Sequence, residues 1–218
     1  MARLGRAQAF PAVIVKAPLP ETPTKLYLRN TQLNNIGATY YDLLLTAGSS
    51  ADTAVVDATV AGTEIQFTKT AGGSLVNFIT PPLALAYTLT TTDISSWFKE
   101  STDLVNVGAR ARFFKYSSGS ESELTGGPFD DGVEFTTSDA EYTWTANHGD
   151  TAFAVGDRLL LKLYITNVGV MALGTATLTF NAADGATGDS FIQISEALTF
   201  SAEVSGVSNS LMMMGCGT

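Results

Sequence analysis

The chain has 218 residues, of which 45% are hydrophobic and only 15% charged, and its formal net charge is −9. This balance excludes an intrinsically disordered chain, and the length is enough to bury a core without disulfides or metal. The 29 threonines, with many valines, tyrosines and phenylalanines, favour strands and argue against a helical bundle, a coiled coil and a Rossmann-type enzyme.

The first 24 residues are predicted to form an extended N-terminal arm. Four of the seven prolines of the chain lie here, and each removes a backbone donor and biases the preceding residue toward an extended conformation. Such a segment does not fold on itself, so we expect it to dock on another surface. The candidate docking residues of the arm are Arg3, Arg6, Phe10, Val13, Ile14 and Val15.

Charge is distributed unevenly along the chain. Residues 1–29 contain five basic residues and one acidic residue, a net charge of +4, which leaves −13 on the remainder. An acidic body does not favour nucleic-acid binding, since that affinity depends on neutralising phosphates with cationic side chains. A basic arm on an acidic body instead favours docking onto an acidic neighbour, including another copy of the same chain.

From residue 25 to residue 204 the pattern predicts one β-sandwich domain. Short segments with period-2 alternation recur at spacings typical of sandwiches and barrels, and none keeps a helical period for three turns. Residues 93–100 come nearest, as a single helical turn. About ten strands with one buried face each favour an antiparallel, jelly-roll-like sandwich. The main predicted strands are 25–29, 40–46, 53–60, 64–68, 75–79, 87–92, 94–99, 105–116, 158–168, 175–181, 191–194 and 197–204.

Residues 117–157 carry nine acidic residues and no lysine or arginine. With Gly119, Gly126, Gly127 and Pro128 nearby, we interpret this stretch as a long acidic excursion from the sandwich, with short strands at 133–137 and 141–145. Long ordered loops often carry function.

Residues 205–218 form a Gly/Ser-rich C-terminal tail that ends in an apolar cluster. Methionine adapts to irregular surfaces, so Met212, Met213 and Met214 are further candidates for packing on the body or on a partner. The single cysteine, Cys216, provides no disulfide framework and no zinc site. No apolar run is long enough to span a bilayer and no signal core is present, so we expect synthesis in the cytoplasm and no membrane partner.

Catalytic motifs are weak. His148 is the only histidine, no G-x-S-x-G elbow exists, and Asn147–Asp150 has the composition of a turn. The sequence therefore predicts a protein without catalytic residues or cofactors, not an enzyme. Two alternatives stay open: a carbohydrate-binding module in which Trp97 or Trp144 stacks on sugar rings, and a glycosidase that uses two of the 21 acids.

Calcium binding is a weaker alternative. Acidic residues flank Gly132 and the pair Gly185 and Gly188, and hard cations prefer several oxygens within one loop. Neither stretch matches the EF-hand pattern, and Asp next to Gly also serves turn geometry. The residues concerned are Asp130, Asp131, Glu134, Asp184 and Asp189.

Several stretches resemble small structural proteins of tailed bacteriophages. They are the opening MARLGRAQAFP, then TKLYL at 24–28, GDR at 156–158 entering a strand that ends YITN at 164–167, TATLTF at 175–180 and TGDS at 187–190. The resemblance covers most of the chain and carries no catalytic residues.

The resemblance implies a β-sandwich accessory protein of a virion. On it we expect a capsid decoration or head-surface protein that self-associates, as a homotrimer, and docks through its arm on the major capsid protein or other virion proteins. The alternative within this resemblance is a carbohydrate-binding adhesion module of a tail or neck.

Overall fold

The computed structural model describes residues 23–33, 35–37, 39–58, 64–70, 73–168 and 174–201. The predicted docking residues all lie outside these ranges, as does Cys216, namely Arg3, Arg6, Phe10, Val13, Ile14, Val15, Met212, Met213 and Met214. Their assignment to partner docking therefore stays a prediction.

Thirteen strands make up the regular structure of the described residues, and the predicted all-β fold class is confirmed. No helix long and apolar enough to cross a membrane occurs in the described part of the chain. The strands are β1 (Thr24–Gln32), β2 (Tyr40–Leu44), β3 (Asp52–Asp57), β4 (Glu64–Gln66), β5 (Asn77–Ile79), β6 (Tyr87–Glu100), β7 (Val107–Ser117), β8 (Ser120–Glu123), β9 (Phe129–Asp130), β10 (Ala140–Phe153), β11 (Arg158–Asn167), β12 (Thr175–Phe180) and β13 (Phe191–Ile194).

The strands form one open sheet that folds over a common core. Its order is β3-β12-β6-β13-β1-β2-β5-β11-β7-β8, with β10 on β6, β4 on β11 and β9 on β7. All pairs are antiparallel except β2 with β5. Inward side chains from opposite ends of this order meet, as Phe78 on β5 does with Phe180 on β12 at 5.2 Å between ring centroids. The architecture is therefore the predicted sandwich, with one parallel pair in an otherwise antiparallel sheet.

The core centres on Phe98 of β6. This side chain is fully buried, and its ring stacks on Phe135 at 4.7 Å. Phe67, Tyr142 and Trp144 surround the same ring. Interlocking aromatic rings of this kind hold the two layers in register, since buried aromatic pairs contribute beyond their buried area.

More of the segment 117–157 lies in the sheet than the predicted excursion implies. β8 and β9 fold back onto β7, and β10 runs for 14 residues along β6. The predicted strand at 141–145 lies inside β10, whereas 133–137 forms no strand but places Phe135 in the core. The predicted strand at 94–99 lies inside β6, and the single helical turn considered at 93–100 does not form, because alternate residues there face the core and β6 continues through them.

Acidic side chains from this stretch neutralise the cations of the neighbouring strands. Arg112 on β7 bonds Glu64 at 2.7 Å and Glu123 at 2.7 Å, and Arg110 bonds Asp130 at 2.8 Å and Glu64 at 3.1 Å. On β11, Lys162 donates to Glu121. We name this set the outer ion-pair network: Glu64, Arg110, Arg112, Glu121, Glu123, Asp130 and Lys162.

Candidate functional site

The outward face of β6 forms the floor of the candidate site. Asp93, Ser95 and Trp97 alternate with the core-facing Ile94, Ser96 and Phe98, so their side chains share the outer face. Because β10 pairs with one edge of β6 while β13 and β12 pair with the other, each floor residue has neighbours on both sides.

The strand register arranges these neighbours in three rows. The first row is Thr145, Asp93, Gln193 and Lys25, and the second is Thr143, Ser95, Phe191 and Tyr27. The third row is Glu141, Trp97 and Thr179. Directly opposed residues in adjacent strands bring their side chains into contact distance. The result is a surface on which carboxylates, an amide, hydroxyls and aromatic rings lie side by side.

A groove of about 330 Å³ lies on this surface. Hydrogen bonds fix both of its carboxylates, since Thr145 Oγ1 donates to Asp93 Oδ1 at 2.6 Å and Ser95 Oγ donates to Glu141 Oε1. Each carboxylate keeps a second oxygen available as an acceptor. The groove is lined by Asp93, Ile94, Ser95, Glu141, Thr143, Trp144, Thr145, Phe191 and Gln193.

One rim of the groove carries a cation that is already paired. Lys25 Nζ lies 3.8 Å from the ring centroid of Phe191 and 2.7 Å from Asp184. Asp189 lies 3.5 Å from the same ammonium. Burial would lower the pKa of Lys25, but the hydrogen bond to Asp184 and the neighbouring groups raise it. Lys25 therefore stays protonated and covers part of the Phe191 ring.

The two tryptophans proposed for sugar stacking take different roles. Trp97 faces outward in the third row, beside Glu141. Trp144 lines the groove, but its ring packs on the core, 6.4 Å from that of Phe98. Trp97 thus lies on the outer face beside the groove but not in its lining, whereas Trp144 lines the groove and packs mainly on the core.

Sequence reasoning did not single out Asp93, Ser95, Glu141, Phe191 or Gln193. These residues are up to 100 positions apart and meet only because β6 lies between β10 and β13. Alternation along β6 and β10 could have placed Asp93 and Glu141 on outward faces, but no local motif indicates that these strands pair.

His148 is not positioned for catalysis. It lies in β10 with 0% exposure, where the register shifts between Asn147 and Thr151, instead of in the expected turn. Its ring packs against Phe113 at 4.7 Å and Phe129 at 5.1 Å, and Nε2 contacts Thr92 Oγ1 at 3.0 Å. Burial lowers its pKa to about 4, so the ring is neutral at pH 7. An imidazole that is buried and packed against two phenylalanine rings cannot reach a bound ligand to act as its general base.

We expect His148 to make the protein less stable in acid. Its pKa in the folded state lies below the ordinary value of 6.5, so the unfolded state takes up the proton first. The stability it contributes is complete above about pH 6.5 and falls as the pH drops toward 4, by about 3 kcal/mol. Urea unfolding of the wild type and of His148→Gln at pH 7.5, 5.5 and 4 measures this loss as a shrinking difference between the two proteins.

Asp131 provides the control for that experiment. Burial raises its pKa to about 6, so its contribution has the opposite sign and increases as the pH falls. The variant Asp131→Asn should therefore have a higher free energy of unfolding than the wild type at pH 7.5 but not at pH 4. If the difference in unfolding free energy between the wild type and His148→Gln stayed constant with pH, the lowered pKa of His148 would be contradicted.

Four of the five candidate calcium residues, all except Glu134, are paired with basic side chains or backbone amides. Asp130 bonds Arg110, Asp131 accepts the Ala109 amide at 3.0 Å, and Asp184 binds Lys25. Among the described residues, no group of three or more His, Cys, Asp or Glu side chains could hold a metal ion.

No protein-family model and no curated protein matches the chain. Solved structures match its fold. An aminopeptidase from a marine sediment Thaumarchaeota archaeon is 10% identical with a TM-score of 0.54, over 79% of this chain and 36% of that one. A CocE/NonD family hydrolase from Staphylococcus aureus is 15% identical with a TM-score of 0.50, over 84% of this chain and 38% of that one.

These matches correct one prediction. The expectation that the chain is not an enzyme is wrong, because a sandwich of similar fold forms part of chains named as a hydrolase and an aminopeptidase. At 10 and 15% identity the likeness shows the fold alone. The chain spans little more than a third of the length of each matched protein.

Proposed function

We propose that the chain is a β-sandwich domain that binds carbohydrate in the groove on β6, β10 and β13. The observation that carries this proposal is the three-row surface, in which two fixed carboxylates, an amide and hydroxyls lie beside outward aromatic rings. A ligand for such a surface needs many hydroxyls on a compact apolar frame, which is the chemistry of a sugar.

The individual groups suit that ligand. The free oxygens of Asp93 and Glu141 accept hydrogen bonds from sugar hydroxyls, and the Gln193 amide both donates and accepts. Hydrogen bonds to charged groups are the stronger ones, worth about 1.5–3 kcal/mol each. The Trp97 ring offers an apolar face with a polar edge, on which the C–H face of a sugar ring can pack.

We expect a glycan array to give binding that depends on the groove. The variants Asp93→Asn and Glu141→Gln should each weaken affinity by about tenfold to a hundredfold, because each replaces a charge-assisted hydrogen bond by a neutral one. Trp97→Ala should weaken it by a similar factor through lost stacking. Isothermal titration calorimetry with the best array ligand measures these changes.

The matched control is Asp150→Asn. It removes one negative charge from an exposed position of β10, the strand that carries Glu141, but outside the groove. It should bind as the wild type does. The proposal would be overturned if no glycan on a broad array bound, or if Asp150→Asn lost as much affinity as the groove variants.

A second candidate function is glycoside hydrolysis, because two carboxylates, Asp93 and Glu141, line the same groove. Most glycosidases use a pair of carboxyl groups as acid and base or as acid and nucleophile. The same titrations, followed by chromatography for released sugars, test this candidate with the same variants.

The virion role stays a prediction that rests on the sequence resemblance. Copy counting in purified extracellular particles by quantitative mass spectrometry is the measurement that addresses it. Hundreds of copies per particle fit a decoration protein, whereas a few tens fit a vertex, neck or tail and would agree with glycan binding.

A further inference from the structure

The groove does not end at Asp93. A second hollow of about 280 Å³ adjoins it, lined by Pro23, Thr91, Asp93, Gln193 and Ser195. The groove is the first hollow of the pair, and Asp93 and Gln193 line both hollows. The two hollows therefore lie end to end along β6 with these two side chains between them.

The combined length exceeds that of one sugar ring. The outward residues of β6 that line the two hollows run from Thr91 to Ser95, four positions apart, or about 13 Å at the usual rise of a strand. Both hollows open to solvent on the outer face of the sheet.

We propose that this site takes a linear oligosaccharide that lies along β6, with sugar units in both hollows and with Asp93 and Gln193 contacting the linkage between them. The inference rests on the proposed carbohydrate binding and adds the ligand's length and direction. A single sugar would leave one of the hollows empty, so affinity must rise with chain length until both are filled.

The lining also defines the charge of the ligand. The residues that line the two hollows include the carboxylates of Asp93 and Glu141 and no lysine or arginine, and Lys25 on the rim is already paired with Asp184 and Asp189. A uronic acid unit would bring a third negative charge close to these two, and like charges at such distances repel. The oligosaccharide is therefore built from uncharged or amino-substituted units.

The experiment is a chain-length series. Mono-, di- and tetrasaccharides of the cello-, malto- and N-acetylchito-series, with tetragalacturonate as the anionic member, are titrated by NMR, which covers millimolar affinities. In the series that binds, the tetrasaccharide should bind at least tenfold tighter than the monosaccharide, and tetragalacturonate should bind more weakly than any neutral tetrasaccharide. Equal affinity at all lengths would overturn the inference.

Two variants separate this inference from the proposed function. Ser195→Leu fills the second hollow and should abolish the gain in affinity with chain length. The matched control Ser120→Leu, on the exposed strand β8, should keep the gain. A length gain that persists in Ser195→Leu contradicts the two-hollow site alone, whereas the absence of binding by every series overturns the carbohydrate proposal itself.

Discussion

Replacing Phe98 by alanine is expected to lower the free energy of unfolding by about 4 kcal/mol, the largest effect of a single substitution considered for this protein. Phe98 is fully buried, and four aromatic rings besides its own contact it from several strands and loops. Neighbours on different elements cannot all move in to fill the space, so truncation leaves a cavity. Urea denaturation followed by tryptophan fluorescence measures the change, since Trp144 lies in the same cluster.

The matched control is Phe114→Ala. Phe114 lies on the outer face of β7, half-buried beside Lys162. Its truncation should cost about 1–2 kcal/mol, because solvent already reaches part of the ring. Equal losses for the two variants would show that the core is not centred on Phe98.

Replacing Arg112 by methionine should lower stability by about 2–3 kcal/mol at pH 7. The variant keeps the apolar stem of the side chain but removes the guanidinium that bonds Glu64 and Glu123, and the Glu64 side chain is only 17% exposed. Loss of one partner from a largely buried ion pair leaves a charge without compensation. Only Arg110, at 3.1 Å, then remains beside Glu64.

The loss should depend on pH. The Arg112 hydrogen bond, assisted by Arg110, holds the pKa of Glu64 below its ordinary value of 4.5. The stability from this pairing is present above pH 4.5 and is lost as the pH falls through the lowered pKa. The difference between wild type and Arg112→Met should therefore shrink in acid.

Lys115→Met on the same strand provides the comparison for Arg112→Met. Lys115 makes one exposed bond, to the Ala152 carbonyl at 3.3 Å, and its loss should cost less than 0.5 kcal/mol at any pH. An effect of Arg112→Met no greater than this, or one that persists unchanged at low pH, would refute a stabilising role for the outer ion-pair network.

Much of the fold follows from alternation. The outward arginines and inward alanines of β7, and the leucines at every second position of β11, identify strands because the side-chain period of a strand is 2. Alternation cannot tell which strands pair, since pairing is decided by long-range packing. It also left a single helical turn possible at 93–100, where Ser95 and Ser96 interrupt the apolar pattern although β6 continues.

The acidic stretch shows a second limit. Composition identifies the surplus of negative charge between residues 117 and 157, but the compensating cations lie on other strands. Charge runs report local sequence, whereas ion pairs form across the sheet. The candidate site could not be predicted from the sequence for the same reason, since Asp93 and Glu141 are brought to one face only through the pairing of β6 with β10.

The position of β6 has a consequence for the timescale of motion at the groove. From Thr92 to Phe98 this strand has partners on both edges, and between β13 and β12 the Trp97 amide is held by Ser190 Oγ at 3.1 Å. Amide protons in such a segment exchange with solvent only when the domain opens globally. The floor of the groove thus keeps its shape in the absence of ligand, so a sugar bound as proposed would meet a preorganised surface and would not bear the entropic cost of ordering it.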